Sequence, residues 1–163
     1  MVILILVGTI ADLAYSFIAS FVMNFLGIIP DRPVGNLGIE ILNWYFLPTI
    51  LFRATIEELI FRFPLSCAVI TWGVSKKVLG AALVSSLIFG FLHGGCTNFG
   101  FIYEGVHHIF LQGVGGLFYC LLYLKCGGLN KRFLKPIVVT TIAHATYNSA
   151  VALIVLCFGS RYM

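Results

Sequence analysis

Residues 136–158 read PIVVTTIAHATYNSAVALIVLCF, twenty-three positions without an Asp, Glu, Lys or Arg. A bilayer core takes about 20 consecutive apolar residues wound as a helix. Inside lipid the backbone must satisfy its own polar groups, so this stretch is a membrane span. Working outward, residues 1–29 are apolar apart from Asp12, and two further spans fall at about 78–94 and 105–124. Residues 39–72 are also apolar but too long for a simple crossing. Pro48 and Pro64 each remove a backbone donor there, which predicts a kinked helix or a surface segment leading into a span. Of the 163 residues 60% are hydrophobic and 10% charged, with mean hydropathy +1.04. A soluble domain has about a quarter charged residues. The reading is therefore an all-α, polytopic transmembrane bundle of about five helices, a multi-pass integral membrane protein. Residues 1–38 form an N-terminal transmembrane helix with its loop, and 39–163 form the remaining core.

The net charge of +4 comes from ten scattered basic residues with no basic face, which excludes nucleic acid as a partner and speaks to orientation instead. Lys76 and Lys77 lie in one inter-span loop, and Lys125, Lys131, Arg132 and Lys135 in another two crossings later. Five crossings place all six on one side, cytoplasmic by the positive-inside rule, with the N-terminus on that side too. Loops 30–38 and 95–104 face the other. No Lys or Arg precedes the first apolar run, so it reads as a span rather than a cleaved leader. Cys67, Cys120 and Cys157 fall within spans and Cys96 and Cys126 in loops on opposite faces, so free thiols are expected.

Ionisable groups at membrane depth cost on the order of 2.5–3.5 kcal/mol each and need a reason. Glu58 and Arg62 are four apart with the acid first, the favourable order for a helical ion pair. Glu57 lies about 100° around the helix from Glu58 and is left for other work. A purely structural alternative is two i,i+4 pairs, Arg53 with Glu57 and Glu58 with Arg62. His93 ends the run Phe89 to His93, and His144 and Asn148 are one helical turn apart on the last span. Polar groups in a membrane bundle turn inward and find one another. Converged, these residues form a cluster of a carboxylate, two imidazoles and an amide. Such a cluster has the parts to deprotonate a water and to donate to an oxyanion. Two His and two carboxylates are equally an acceptable zinc set. The residues alone leave both open. His107 and His108 read as interfacial, Asp12 has no assigned role, and Gly113, Gly115 and Gly116 permit close helix packing.

Glu57-Glu58-Leu59-Ile60-Phe61-Arg62 is E-E-x-x-x-R, Phe89 to His93 is F-x-x-x-H, and His144 to Asn148 is H-x-x-x-N. In that order, on successive apolar helices over about residues 50–155, the chain resembles the CPBP family. This group of CAAX proteases and bacteriocin-processing enzymes includes the type II CAAX prenyl endopeptidases. The resemblance implies an intramembrane glutamate endopeptidase whose core is residues 39–163. Glu57 would activate water as general base, His93 would position that water, and His144 with Asn148 would stabilise the oxyanion, with Glu58 and Arg62 bracing the site. It implies no cofactor, with zinc as the alternative. The substrate would be a membrane-anchored, in some relatives prenylated, protein or peptide. A catalytically silent membrane immunity or scaffold protein is the other class to weigh. Phe63-Pro64 stands where many relatives have a small residue, and the loop 127–135 is longer than the usual turn. The spans as drawn also leave His93 near the end remote from the basic loops and His144 about two turns from one of them. A shared site therefore requires the last helix to start earlier or deeper.

Overall fold

The computed structural model describes residues 2–27, 45–93 and 107–158. Loops 30–38 and 95–104, with Cys96, lie outside them. The elements are α1 (Val2–Phe25), α2 (Phe46–Trp72), α3 (Lys76–His93), a π-helical turn (Ile109–Gly113) running into α4 (Val114–Lys125), a 3-10 turn (Gly128–Asn130) and α5 (Leu134–Phe158). No strand occurs among the described residues. Three helices are long and apolar enough to cross a membrane, within Val2–Met23, Lys76–His93 and Leu134–Cys157. The helix α2 has the length, but Arg53, Glu57, Glu58 and Arg62 set it apart.

Residues 46–72 form one helix, and residues 39–44, where a surface segment is the other expectation, lie outside the described residues. Pro48 sits in the first turn, where a missing N–H costs nothing. Pro64 lies mid-helix, and in the neighbouring turn the Phe61 carbonyl accepts a hydrogen bond from Ser85 Oγ at 2.8 Å. Side-chain donors of this kind are how a membrane helix tolerates proline. Gly73, with φ of +61°, stops α2 and donates its N–H to Val69 O. A side chain at that φ would be strained.

Contacts fix the directions. Ser86 and Gly90 of α3 meet Gly113 at the start of α4, and Ala82 meets Cys120 further along, so α3 and α4 run antiparallel. Glu58 meets His144 and Phe63 meets Phe133, so α2 and α5 do as well. Ile5 packs with Leu122 and Val139, while Tyr15 donates to Phe110 O and Tyr147 donates to Ser16, which sets α1 parallel to α5. The result brings Lys76, Lys77, Lys125 and the 131–135 segment to one end, together with the start of α1. The outer surface is apolar, with Phe17, Phe21 and Phe25 exposed on α1 and Leu83, Leu87 and Leu92 on α3. Exposed apolar faces all round a bundle are what a lipid solvent selects.

The α4 helix is the packing centre. Its Cys120, Tyr123 and Leu124 join Leu65 and Val69 of α2, Val78 and Ala82 of α3 and Ile137 of α5, while Tyr119 and Leu122 join Ile5, Val139 and Ala143. It comes so close because of glycine. A Cβ on Gly90 would lie 2.7 Å from the Gly113 nitrogen and 2.8 Å from Ile109 Cα, both backbone atoms that cannot move aside. Small residues at membrane helix crossings gain their stability through this close approach. Gly116 leaves room for the Phe89 ring, which a Cβ would meet at 2.9 Å, and Gly115 leaves room for Asp12.

Gly90→Ala should lower stability by about 2 kcal/mol or more through overpacking. Gly80→Ala, in the same helix with nothing within 4 Å, should be neutral or gain up to about 1 kcal/mol in helix propensity. Thermal melts of both variants in one detergent check the contrast.

Candidate active site

The site is built on a buried ion pair. Glu58 and Arg62, one turn apart on α2, are both fully buried. Arg62 Nε donates to Glu58 Oε2 at 2.9 Å and Nη2 to Oε1 at 3.3 Å, while Nη1 points to Cys120 Sγ at 3.1 Å. The remaining lone pairs of Oε1 receive His144 Nδ1 at 3.1 Å from α5. One carboxylate thus ties α2 to itself and to α5, and the guanidinium reaches α4. Charge-assisted, two-point contacts of this sort orient what they hold.

Glu57 points elsewhere. Its Oε2 lies 3.6 Å from His144 Nε2 and 3.8 Å from His93 Nε2, and the Glu57 and His93 side chains are each 30% exposed where His144 is 5%. The Arg53–Glu57 pair of the structural alternative is absent: Arg53 is exposed and makes no ion pair among the described residues. Four helical steps turn a side chain about 40° past its starting direction, which takes Glu57 inward and leaves Arg53 at the rim, where an arginine keeps its head in polar surroundings.

The other nitrogens of both imidazoles are already committed. His93 Nδ1 is 2.8 Å from Phe89 O, a carbonyl that can only accept, so Nδ1 carries the hydrogen. His144 Nδ1 faces the carboxylate of Glu58, which Arg62 holds, so it donates as well. In the neutral rings both Nε2 atoms are then acceptors, and both face a third acceptor, Glu57 Oε2. Phe89 keeps the rings apart: its ring lies 4.2 Å from that of His93 and 5.9 Å from that of His144, edge-on to the latter, and Phe61 packs edge-on behind it at 4.9 Å. On its other side His144 stacks on Tyr119, with centroids 5.0 Å apart and planes at 19°.

These groups open onto a cavity of about 370 Å³. Its wall includes Tyr45, Phe46, Thr49, Ile50, Arg53 and Glu57 at the start of α2, His93 at the end of α3, Gln112, and His144, Tyr147, Asn148, Val151 and Ala152 on α5. The structure therefore brings Glu57, His93, His144 and Asn148 to one cavity, with Glu58 and Arg62 behind it. The last helix starts at Leu134, two residues earlier than drawn, which puts His144 about 15 Å along it, and both imidazoles reach Glu57, His144 at 3.6 Å and His93 at 3.8 Å. The cavity lies at the end of the bundle away from Lys76, Lys77 and the 125–135 segment. Among the described residues no three His, Cys, Asp or Glu side chains are arranged to hold a metal ion. His107 and His108 pack on each other at the start of the π-helical turn, and neither lines the cavity. Sequence reasoning missed Tyr119, Gln112 and the aromatic rim of Tyr45 and Phe46. Nothing in their spacing separates them from other aromatics and amides of an apolar helix.

Residues 40–150 match a family of known proteins described as type II CAAX prenyl endopeptidase Rce1-like. The chain belongs to this family. It is accordingly a member of a protease family, and an α-helical membrane protein. No curated protein and no solved structure matches the chain. The match covers α2 through most of α5 and leaves α1 outside. Within it fall all three motifs, with Glu57, Glu58, Arg62, His93, His144 and Asn148, while Val151 and Ala152 of the cavity wall lie just beyond it.

Removing one member of a buried pair leaves the other charge stranded, at a cost of about 3–5 kcal/mol. Arg62→Ala should therefore lower the melting temperature of the detergent-solubilised protein sharply, whereas Glu57→Gln, at a partly exposed position outside that pair, should melt close to the wild type.

Proposed function

We propose that the protein is an intramembrane endopeptidase that hydrolyses a peptide bond of a membrane-associated protein or peptide with a water activated by Glu57. The observation that supports this best is the meeting of three acceptors. Glu57 Oε2 and the two Nε2 atoms are 3.6 and 3.8 Å apart, too far for direct hydrogen bonds and in need of a shared donor. A water molecule supplies two hydrogens to such a set, and its oxygen is then aimed at whatever carbonyl lies in the cavity. Glu57 takes one proton as the water oxygen adds to the carbonyl carbon. It returns that proton to the amide nitrogen as the C–N bond breaks, leaving an amine and a carboxylic acid, which then loses the water's second hydrogen to solvent. Asn148 Nδ2–H and His144 Nε2–H donate to the oxygen that becomes negative. Since His144 Nδ1–H is engaged by Glu58, Nε2 donates only after the ring takes a second proton from solvent, and in that form the water is held by Glu57 Oε2 and His93 Nε2 alone.

Glu57→Gln should abolish cleavage of a membrane-anchored reporter, and Asn148→Ala should lower kcat by about 10²–10³ with little change in KM. Rates per folded molecule, taken beside melting temperatures, check this. Normal turnover in Glu57→Gln would defeat the assignment, and loss of activity in a strong chelator with recovery on added zinc would turn the acceptors into metal ligands.

We infer that the cavity opens to the non-cytoplasmic side. Glu57 is about 16 Å along α2 from Phe46 and about 22 Å from Trp72, and the cavity wall extends toward Phe46. With several helices crossing the bilayer and the basic end in the cytoplasm, the substrate enters from the non-cytoplasmic face. In a cysteine-free variant on intact cells, Thr49→Cys at the cavity should react with a membrane-impermeant maleimide, and Lys77→Cys only after permeabilisation. The reverse pattern would place the opening toward the cytoplasm.

A further inference from the structure

The first helix carries polar residues that its role as a span does not require. Thr9, Asp12 and Ser16 recur at steps of three and four, on one face of α1. Each meets α4 or α5 next to the site: Thr9 Oγ1 donates to Ala143 O at 3.4 Å, Tyr119 Oη donates to Asp12 Oδ2 at 2.7 Å, and Tyr147 Oη donates to Ser16 Oγ at 2.8 Å.

Asp12 is the costly member. It is 2% exposed, and its Oδ1 is buried with no hydrogen-bond partner. Docking α1 does not explain it. Asn would accept the same hydrogen from Tyr119 without a charge at membrane depth. Gly115 is shaped around the carboxylate, since a Cβ there would lie 2.7 Å from Asp12 Oδ1.

What the carboxylate reaches is His144. Tyr119, which it holds by the hydroxyl, is buried and stacks flat on the His144 ring. The hydrogen bond fixes where the Tyr119 ring lies, and that ring is the floor on which the imidazole rests. Behind the floor, the carboxylate in its ionised form attracts positive charge on the imidazole, strongly so in a medium of low dielectric. Donation from Nε2 to an oxyanion, with Nδ1–H already given to Glu58, needs such a positive ring.

We propose that Asp12 is a positioning residue for the hydrolysis, acting through Tyr119 on the orientation and charge of the His144 imidazole. This rests on the function proposed above. It extends the working site to α1, outside the family-matched residues 40–150.

The test uses the full chain with Asp12→Asn, Tyr119→Phe and the double variant, beside Tyr15→Phe as a control. Tyr15→Phe removes another α1 hydrogen bond, the one to Phe110 O. Asp12→Asn should lower kcat about tenfold, as loss of one charge-assisted contact does, with KM and melting temperature nearly unchanged. Tyr119→Phe, which removes the hydrogen bond that Asp12→Asn keeps, should do the same and the double variant no worse, because the carboxylate acts on His144 through that one contact. Tyr15→Phe should lower melting and leave kcat per folded molecule alone. In parallel, selective ¹⁵N labelling of histidine, with His144 identified by its loss in His144→Gln, should show the His144 ring signal moving in Asp12→Asn while that of His93 stays. An unchanged kcat, a kcat that only follows the folded fraction, additive losses, or an unmoved His144 signal would each overturn the proposal. If the wild type cleaves nothing, the function fails, and the ring signal alone still decides whether Asp12 acts on His144.

Discussion

The Glu58–Arg62 pair is the constraint on which the remaining geometry depends. Two fully buried charges in an apolar bundle are tolerable only if every donor and acceptor is used. The pair comes near that condition by recruiting His144 from α5 and Cys120 from α4, so that each guanidinium nitrogen has a partner and Glu58 Oε1 a second donor. Those contacts set the depth of α5 against α2. Once that depth is set, His144 presents Nε2 on the side where Glu57 lies, and Asn148, one turn further on, faces the same cavity. A bundle held by dispersion alone has no comparable means of choosing register, because lipid tails compete equally well for apolar surface.

Close approach through glycine makes the rest possible. With Gly90 against Gly113, α3 and α4 come near enough for Phe89 to wedge between two imidazoles, and Gly116 gives that ring its space. The π-helical turn ahead of α4 adds to this. Its Phe110 carbonyl accepts from Tyr15, so α1 is fastened where the α4 backbone departs from regular hydrogen bonding. Insertions of this type recur near functional sites because they re-aim side chains without breaking a helix. Here the following turn carries Gly115, and the next Tyr119, both directed at Asp12.

Much of this was legible in the chain. The uncharged run 136–158, the apolar runs before it and the shortage of charge led to a helical membrane bundle, and the three spaced motifs led to the family that the match over residues 40–150 shows. Helical periodicity alone separates Glu57 from Glu58, because adjacent residues on a helix lie about 100° apart. Less was visible where two readings shared one spacing. Arg53 and Glu57 have the same i,i+4 relation as Glu58 and Arg62, yet only the second pair forms. Spacing makes a pair possible, and burial decides whether it is worth forming.

The sequence by itself determined the class of solvent, the number and order of apolar helices and the chemical parts of the site, because these follow from composition and from the 3.6-residue period. Only the tertiary structure decided which parts meet. The tautomer of His144 depends on an acceptor from another helix, Glu58 Oε1. The tie from Asp12 to Tyr119 joins residues 107 positions apart, and the side to which the cavity opens depends on the antiparallel order of α2, α3 and α5. None of these has a local signature, since each is a relation between helix faces that packing alone brings within hydrogen-bonding distance.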